Sequence, residues 1–317
     1  MLQHSQTKTE QGVTVKQAII ASLAFFGLYE LPLAKKRLFQ LLYKKKANRE
    51  EFERELNFLI DEEKVFRKDD LIALKPEYFY KFASNKEELN KKWSKVKKYF
   101  WLISILPFVE HVSVINSLTF GNVHQESDID FFVVVKNNRL YFVRTAIILI
   151  FKALGLYKNK KHIKDRFCFG FYVTKKGMNL EPVLLKGEDP LFAFWFASFA
   201  PILAKDAYEE LVSANSWIKN YFPNFESSSR HQSLLPRNRL TRMIKILIEL
   251  SCFIPAVLTE PIFRKIHIRH TFKLPENSWS TATTVANRDL LKLHALDPRE
   301  VVKNKFLQIK KSSEEEG

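Results

Sequence analysis

From Val15 to Tyr29 the apolar residues Ile19, Ile20, Leu23 and Phe26 recur at helical spacing, which predicts a first helix. Leu31-Pro32-Leu33 breaks that pattern, and a second helix is expected over 34–45. Asn48 followed by Glu51 has the form of a capping box, and behind it Phe52, Leu56, Leu59 and Ile60 make the stripe of a third helix. Val65-Phe66 and Leu71 to Leu74, separated by Arg67-Lys68-Asp69-Asp70, predict a short hairpin. Glu77 to Ile105 predicts a long basic helix rich in aromatics, ended by Leu106-Pro107.

The pattern then changes from helical stripes to continuous apolar runs. Val112–Ile115 and Phe131–Val135 have the length and composition of buried strands. Leu140 to Tyr157 predicts an apolar helix carrying Arg144, and a lysine-rich loop follows from Lys158 to Lys164. Arg166 to Thr174 alternates Phe167, Phe169, Phe171 and Val173, the period of a strand, and a further strand is expected over 180–185. Beyond it, helices are expected over 189–204, 207–220, 243–258 and 290–308, with Pro255 and Pro261 interrupting the basic, apolar segment 237–273. Cys168 and Cys252 lie in apolar surroundings and are expected to be inert core residues.

The two apolar runs enclose the stretch that carries chemistry, Asn116-Ser117, Gly121 and Ser127-Asp128-Ile129-Asp130. Residues two apart on a strand project from one face, about 7 Å apart along the backbone. Two carboxylates there repel each other and lose hydration unless a divalent cation lies between them. This stretch resembles the signature of the DNA polymerase beta-type nucleotidyltransferase superfamily, in which a Gly-Ser turn opens a helix and an Asp-hydrophobic-Asp pair follows on the next strand. Ser117 matches the Ser, Gly121 the later small residue, and Asp128 and Asp130 the metal-binding pair; Asn116 stands where the family has Gly. Residues 15–78 resemble a winged-helix domain, three helices and a two-stranded wing. Their third helix is too acidic to favour DNA phosphates, so packing or partner docking is the expected role.

The resemblance implies an α+β fold: a polymerase-beta-type mixed sheet with helices, preceded by a winged-helix-like domain and followed by a helical region. The divisions expected are a tail over 1–14, the winged-helix-like domain over 15–78, the nucleotidyltransferase domain with its leading helix over 79–187, a helical region over 188–309 and an acidic tail over 310–317. It further implies Mg²⁺ or Mn²⁺ on Asp128 and Asp130, and a nucleoside triphosphate held by Asn116, Ser117 and Gly121, with Lys136 and Arg144 as triphosphate contacts. A nucleoside monophosphate would pass to a hydroxyl acceptor: a small molecule, a protein or RNA. The family's third carboxylate belongs on the strand after the pair. That strand offers only Cys168 and Gly170, so Asp165 at its entrance is the candidate third acid, with Glu181 the other. The alternative is an inactive module of the same fold that binds a nucleotide, nucleic acid or protein.

Composition narrows the partners without choosing one. The 317 residues are 46% hydrophobic, ample for packed cores. Only 8 glycines, with neither G-x-G-x-x-G nor a Walker A run, argue against Rossmann and P-loop proteins. A net charge of +16 points to an anionic partner and leaves nucleic-acid contact through a basic surface open. Two isolated cysteines fit a reducing cytoplasm, and the longest uncharged apolar stretch, Pro190–Ala204, is too short for a bilayer. Membrane association is therefore not expected; segment 237–273 is read as part of a helical domain closing over the sheet, with an interfacial membrane helix as the competing reading. His267, His270 and His294 lack metal-ligand spacing and read as ordinary surface or interface residues.

Overall fold

Helix α1 (Val15–Gly27) starts at a complete capping box: Thr14 accepts from the Gln17 N–H and Gln17 answers to the Thr14 N–H. β1 (Leu33–Ala34), α2 (Lys35–Gln40) and α3 (Arg49–Asp61) follow. At α3 the cap is one-sided, Asn48 accepting from the Glu51 N–H at 2.8 Å. β2 (Phe66–Lys68) and β3 (Leu71–Ala73) form the predicted hairpin, and β1 joins it in an antiparallel sheet of order β1-β3-β2. The computed structural model, from which these elements are taken, describes residues 13–159, 161–273, 284–293 and 298–315. Residues 1–12 of the tail expected over 1–14, and His294, lie outside them.

The long basic helix is in fact two, α4 (Glu77–Ser84) and α5 (Lys86–Ser104), joined at Asn85. The larger sheet then begins with β4 (Val109–Ile115), the one-turn helix α6 (Ser117–Phe120) and β5 (Ile129–Val135). Crossover helix α7 (Leu140–Ala153) leads to β6 (Phe167–Thr174), which pairs parallel to β5; the other pairings between strands of this sheet, among the described residues, are antiparallel. After α8 (Pro190–Ala197) come β7 (Ala200–Leu203), α9 (Lys205–Ser213), α10 (Ile218–Tyr221), α11 (Arg239–Lys273), β8 (Val285–Ala286), β9 (Leu290–Lys292) and α12 (Arg299–Glu315). The sheet order is β7-β4-β5-β6-β9-β8, a mixed sheet in an α+β protein.

Several expectations are corrected here. The region 188–309 is not purely helical, because β7 and β9 complete the sheet on either side of the signature strands. A short apolar run cannot announce by periodicity alone whether it is strand or helix, which is why Ala200–Leu203 and Leu290–Lys292 were legible only as helix. The strand expected at 180–185 is a single 3₁₀ turn, Glu181–Val183. Helix α12 continues through 310–315, where a tail was expected. Pro255 and Pro261 do not interrupt α11; both are exposed, so the carbonyls they leave without a donor can face water.

Two cores flank the large sheet. Phe132, Val134, Phe171 and Val173 face one that runs on through α8 into α1, where Phe25 and Phe194 stack with centroids 3.9 Å apart. Phe131, Val133, Phe167 and Phe169 face the other, closed by α5 and α7. The N-terminal helices therefore share a core with one face of the sheet.

Candidate active site

β4 and β5 lie side by side, with Ile115 paired to Asp130, so the turn leaving β4 reaches the start of β5. β6 adds the third wall, with Cys168 in register beside Asp130. One oxygen each from Asp128 and Asp130 and the Cys168 sulfur lie within 4.8 Å of one another. All three residues are half-buried, and the two carboxylates project from one face as the alternation predicts.

The charge in this cluster is unbalanced without a cation. Burial first, and then the Asp128 charge, push Asp130 up to about 6; the Asn116 amide, Lys158 and Cys168 pull against that rise. Burial and the neighbouring carboxylates push the Cys168 thiol well up, so it is neutral near pH 7. Lys158 Nζ lies 2.6 Å from Asp128 Oδ2, a short charge-assisted contact with a buried carboxylate oxygen. Burial disfavours the Lys158 ammonium, but the Asp128 and Asp130 carboxylates beside it hold the amine charged. An ammonium thus sits against the acidic pair. The two carboxylates offer oxygen ligands for one divalent cation in place of Lys158, and the neutral thiol beside them does not add to them; a second ion would have to share the same two acids.

Asn116 links this cluster to a cavity. Its backbone adopts φ 60°, ψ −139°, a region almost reserved for glycine. The side chain holds the strained turn, its Oδ1 accepting from Trp195 Nε1 at 2.7 Å, and its amide lies near enough to Asp130 to favour the charged carboxylate. Beside the turn lies a cavity of about 320 Å³. Asn116 and Ser117 line it together with Tyr29, Phe120, Phe192 and Trp195, and Arg299 and Lys292 contribute to its lining. Among the described residues the Ser117 and Leu118 N–H groups make no hydrogen bond, since the first intrahelical bonds of α6 come from Thr119 and Phe120.

Other expected site residues are placed elsewhere. The Asp165 carboxylate is not in the cluster: it lies 2.7 Å from Lys92 Nζ and 3.5 Å from Lys91. Partial burial works against its charge, but Lys92 and Lys91 hold the carboxyl below its ordinary value. Glu181 is exposed on its 3₁₀ turn. Lys136 follows the far end of β5 and pairs with Glu249 at 2.7 Å, about 20 Å of strand away from Asp130. Arg144 is on α7, which covers the opposite face of the sheet; it contacts His267 and lies 5.8 Å from the centroid of the Tyr172 ring. Gly121 is buried as the left-handed cap of α6, φ 86°, where an added Cβ would meet the Phe82 ring at 3.1 Å.

Sequence reasoning missed three participants. Cys168 shares the parity of Asp130 on the neighbouring strand, a signal that was present but unreadable until the register was known. Lys158 was one of several loop lysines, and Trp195 one aromatic in an apolar helix. No protein-family model matches the chain, and no curated protein matches it in sequence.

Proposed function

We propose that this chain is a nucleotidyltransferase of the polymerase-beta type, with a winged-helix-like unit at its N-terminal end. It would bind a nucleoside triphosphate with Mg²⁺ or Mn²⁺ at Asp128 and Asp130 and transfer the nucleoside monophosphate to a hydroxyl acceptor. The observation that carries this reading is the convergence of the two carboxylates on one side of β5, next to a strained turn with open N–H groups. A divalent cation there would neutralise phosphate charge. Ser117 and Leu118 would donate backbone hydrogen bonds to phosphate oxygens, and the aromatic walls formed by Tyr29, Phe120 and Trp195 suit a stacked base. In the transfer, the acceptor oxygen forms a bond to the α-phosphorus, the bond to pyrophosphate breaks, and the acceptor proton must be taken up.

That last requirement favours a second reading, a module that binds nucleotide without turnover. The third-carboxylate position carries Cys168, a neutral thiol, and Asp165 is committed to Lys92. An α-phosphate-labelled nucleoside triphosphate, incubated with cell extract as acceptor pool, separates the two. Labelling by the wild-type protein that needs Mg²⁺ or Mn²⁺ and disappears in Asp128→Ala supports transfer. Metal-dependent nucleotide binding with labelling only after Cys168→Asp supports the silent module. Absence of any metal-dependent nucleotide binding removes both.

A further inference from the structure

Helix α11 spans Arg239–Lys273 and lies along α7 with most of its surface uncovered. Its attachments run along its length: Lys245 donates to the Val109 carbonyl, Glu249 accepts from the Phe108 N–H at 2.8 Å, Glu260 accepts from the Tyr141 and Phe142 N–H groups at 3.1 and 2.8 Å, and His267 contacts Thr145 at 2.9 Å. Glu249 and Glu260, the two acids of the helix, both face the body of the protein. The outward face is apolar: Met243, Leu247, Leu250, Ile254, Leu258 and Ile262 recur at three- and four-residue steps and are 56–69% exposed. Leu149 and Leu154 near the end of α7 are also exposed, at 64% and 54%. Arg239 and Arg242 precede the apolar stretch and Lys265 and Arg269 follow it; all four are exposed and have no acidic partner among the described residues.

We propose that this face docks on an anionic lipid surface, with α11 lying flat in the headgroup region. Length and hydropathy alone would allow α11 to cross a bilayer. The attachments between Lys245 and His267 exclude it, because they bind about 33 Å of helix to α7 and the edge of β4, and a crossing would pull those elements into hydrocarbon. A second copy of the chain is disfavoured by charge. Packed parallel or antiparallel, two such helices bring cationic ends onto cationic ends, whereas acidic headgroups neutralise them. The Asp128–Asp130 cluster opens on the other face of the sheet, so either assignment can fail alone.

The test is flotation of the full-length protein with vesicles of phosphatidylcholine, alone or with phosphatidylglycerol. Binding to the acidic vesicles at low salt, weakened by salt, is expected. The variant Leu250→Gln/Ile254→Gln/Leu258→Gln should bind at least about tenfold less, since an interfacial helix binds through the apolar area it inserts. These side chains contact water, so an unchanged thermal midpoint shows that the fold is intact. Arg242→Gln/Lys265→Gln/Arg269→Gln should lose the preference for phosphatidylglycerol. Failure of the wild-type protein to float with acidic vesicles at low salt would overturn the proposal. So would a dimer in sedimentation equilibrium that the leucine and isoleucine substitutions dissociate while flotation is unchanged.

Discussion

Lys92→Met lowers the unfolding free energy by about 3–5 kcal/mol, the usual consequence of removing one partner from a buried ion pair. The Lys92 side chain is fully buried in α5, and its ammonium reaches Asp165 at 2.7 Å, the Ser127 carbonyl at 2.8 Å and Glu88 at 3.0 Å. Methionine fills the volume of the stem but takes the nearest cation from the Asp165 carboxylate and one of two donors from the Ser127 carbonyl, which keeps the Asp165 N–H at 3.1 Å. The same contacts tie α5 to the loop that delivers Asp128 into β5, so the substitution is also expected to weaken metal binding. Urea denaturation checks the stability, and Lys91→Met serves as the control. Lys91 is exposed and 3.5 Å from the same carboxylate, and no measurable change is expected there. Equal midpoints for Lys92→Met and wild type would show that Lys92 does not hold the loop.

Asp130→Asn should stabilise the metal-free protein at neutral pH while destroying the site. The Asp130 carboxyl ionises at about 6 in the fold against an ordinary value of 3.8. Between those values the folded state keeps a proton that the unfolded chain has lost. The stability contributed by this group is therefore complete below 3.8 and is lost as pH rises to about 6. Above that, the charged form costs on the order of 3 kcal/mol, which Asn does not incur. Thermal unfolding should show a midpoint several degrees higher for Asp130→Asn at pH 7.5 in chelator, with the advantage shrinking toward pH 4. Saturating Mn²⁺ should raise the wild-type midpoint and leave the variant unmoved. His111 acts in the opposite sense. It is buried between the Leu203 carbonyl and Ser113, and burial depresses its ionisation to about 4. Its contribution is lost as pH falls from 6.5 toward 4, so only the difference between wild type and Asp130→Asn isolates the carboxylate.

The elements around the site were the most legible part of the chain. Continuous apolar runs identified β4 and β5, alternation identified β6, and the two-residue spacing placed Asp128 and Asp130 on one face. What could not be read was decided by pairing between distant segments. The register of β5 on β6 brings Cys168 to Asp130, and no local pattern encodes that register. Asp165, two residues from the start of β6, was an attractive third acid by position; a buried lysine more than seventy residues earlier captures it. Lys136 and Arg144 were near the signature in sequence, but strand length carries one to the far end of β5 and helix α7 carries the other to the opposite face. Asn116 is a different case. Its departure from glycine was visible, while its compensation by Trp195 required α8 to fold over the turn.

The central claim is that Asp128 and Asp130 together hold a divalent cation that brings a nucleotide to the Ser117 turn. Titrating the protein with Mn²⁺ in the presence of ATP, with free Mn²⁺ followed by electron paramagnetic resonance, tests it directly. A single bound ion per chain that requires ATP for tight binding and disappears in Asp128→Ala/Asp130→Ala is the predicted result. The same affinity and stoichiometry in the folded double variant would contradict it.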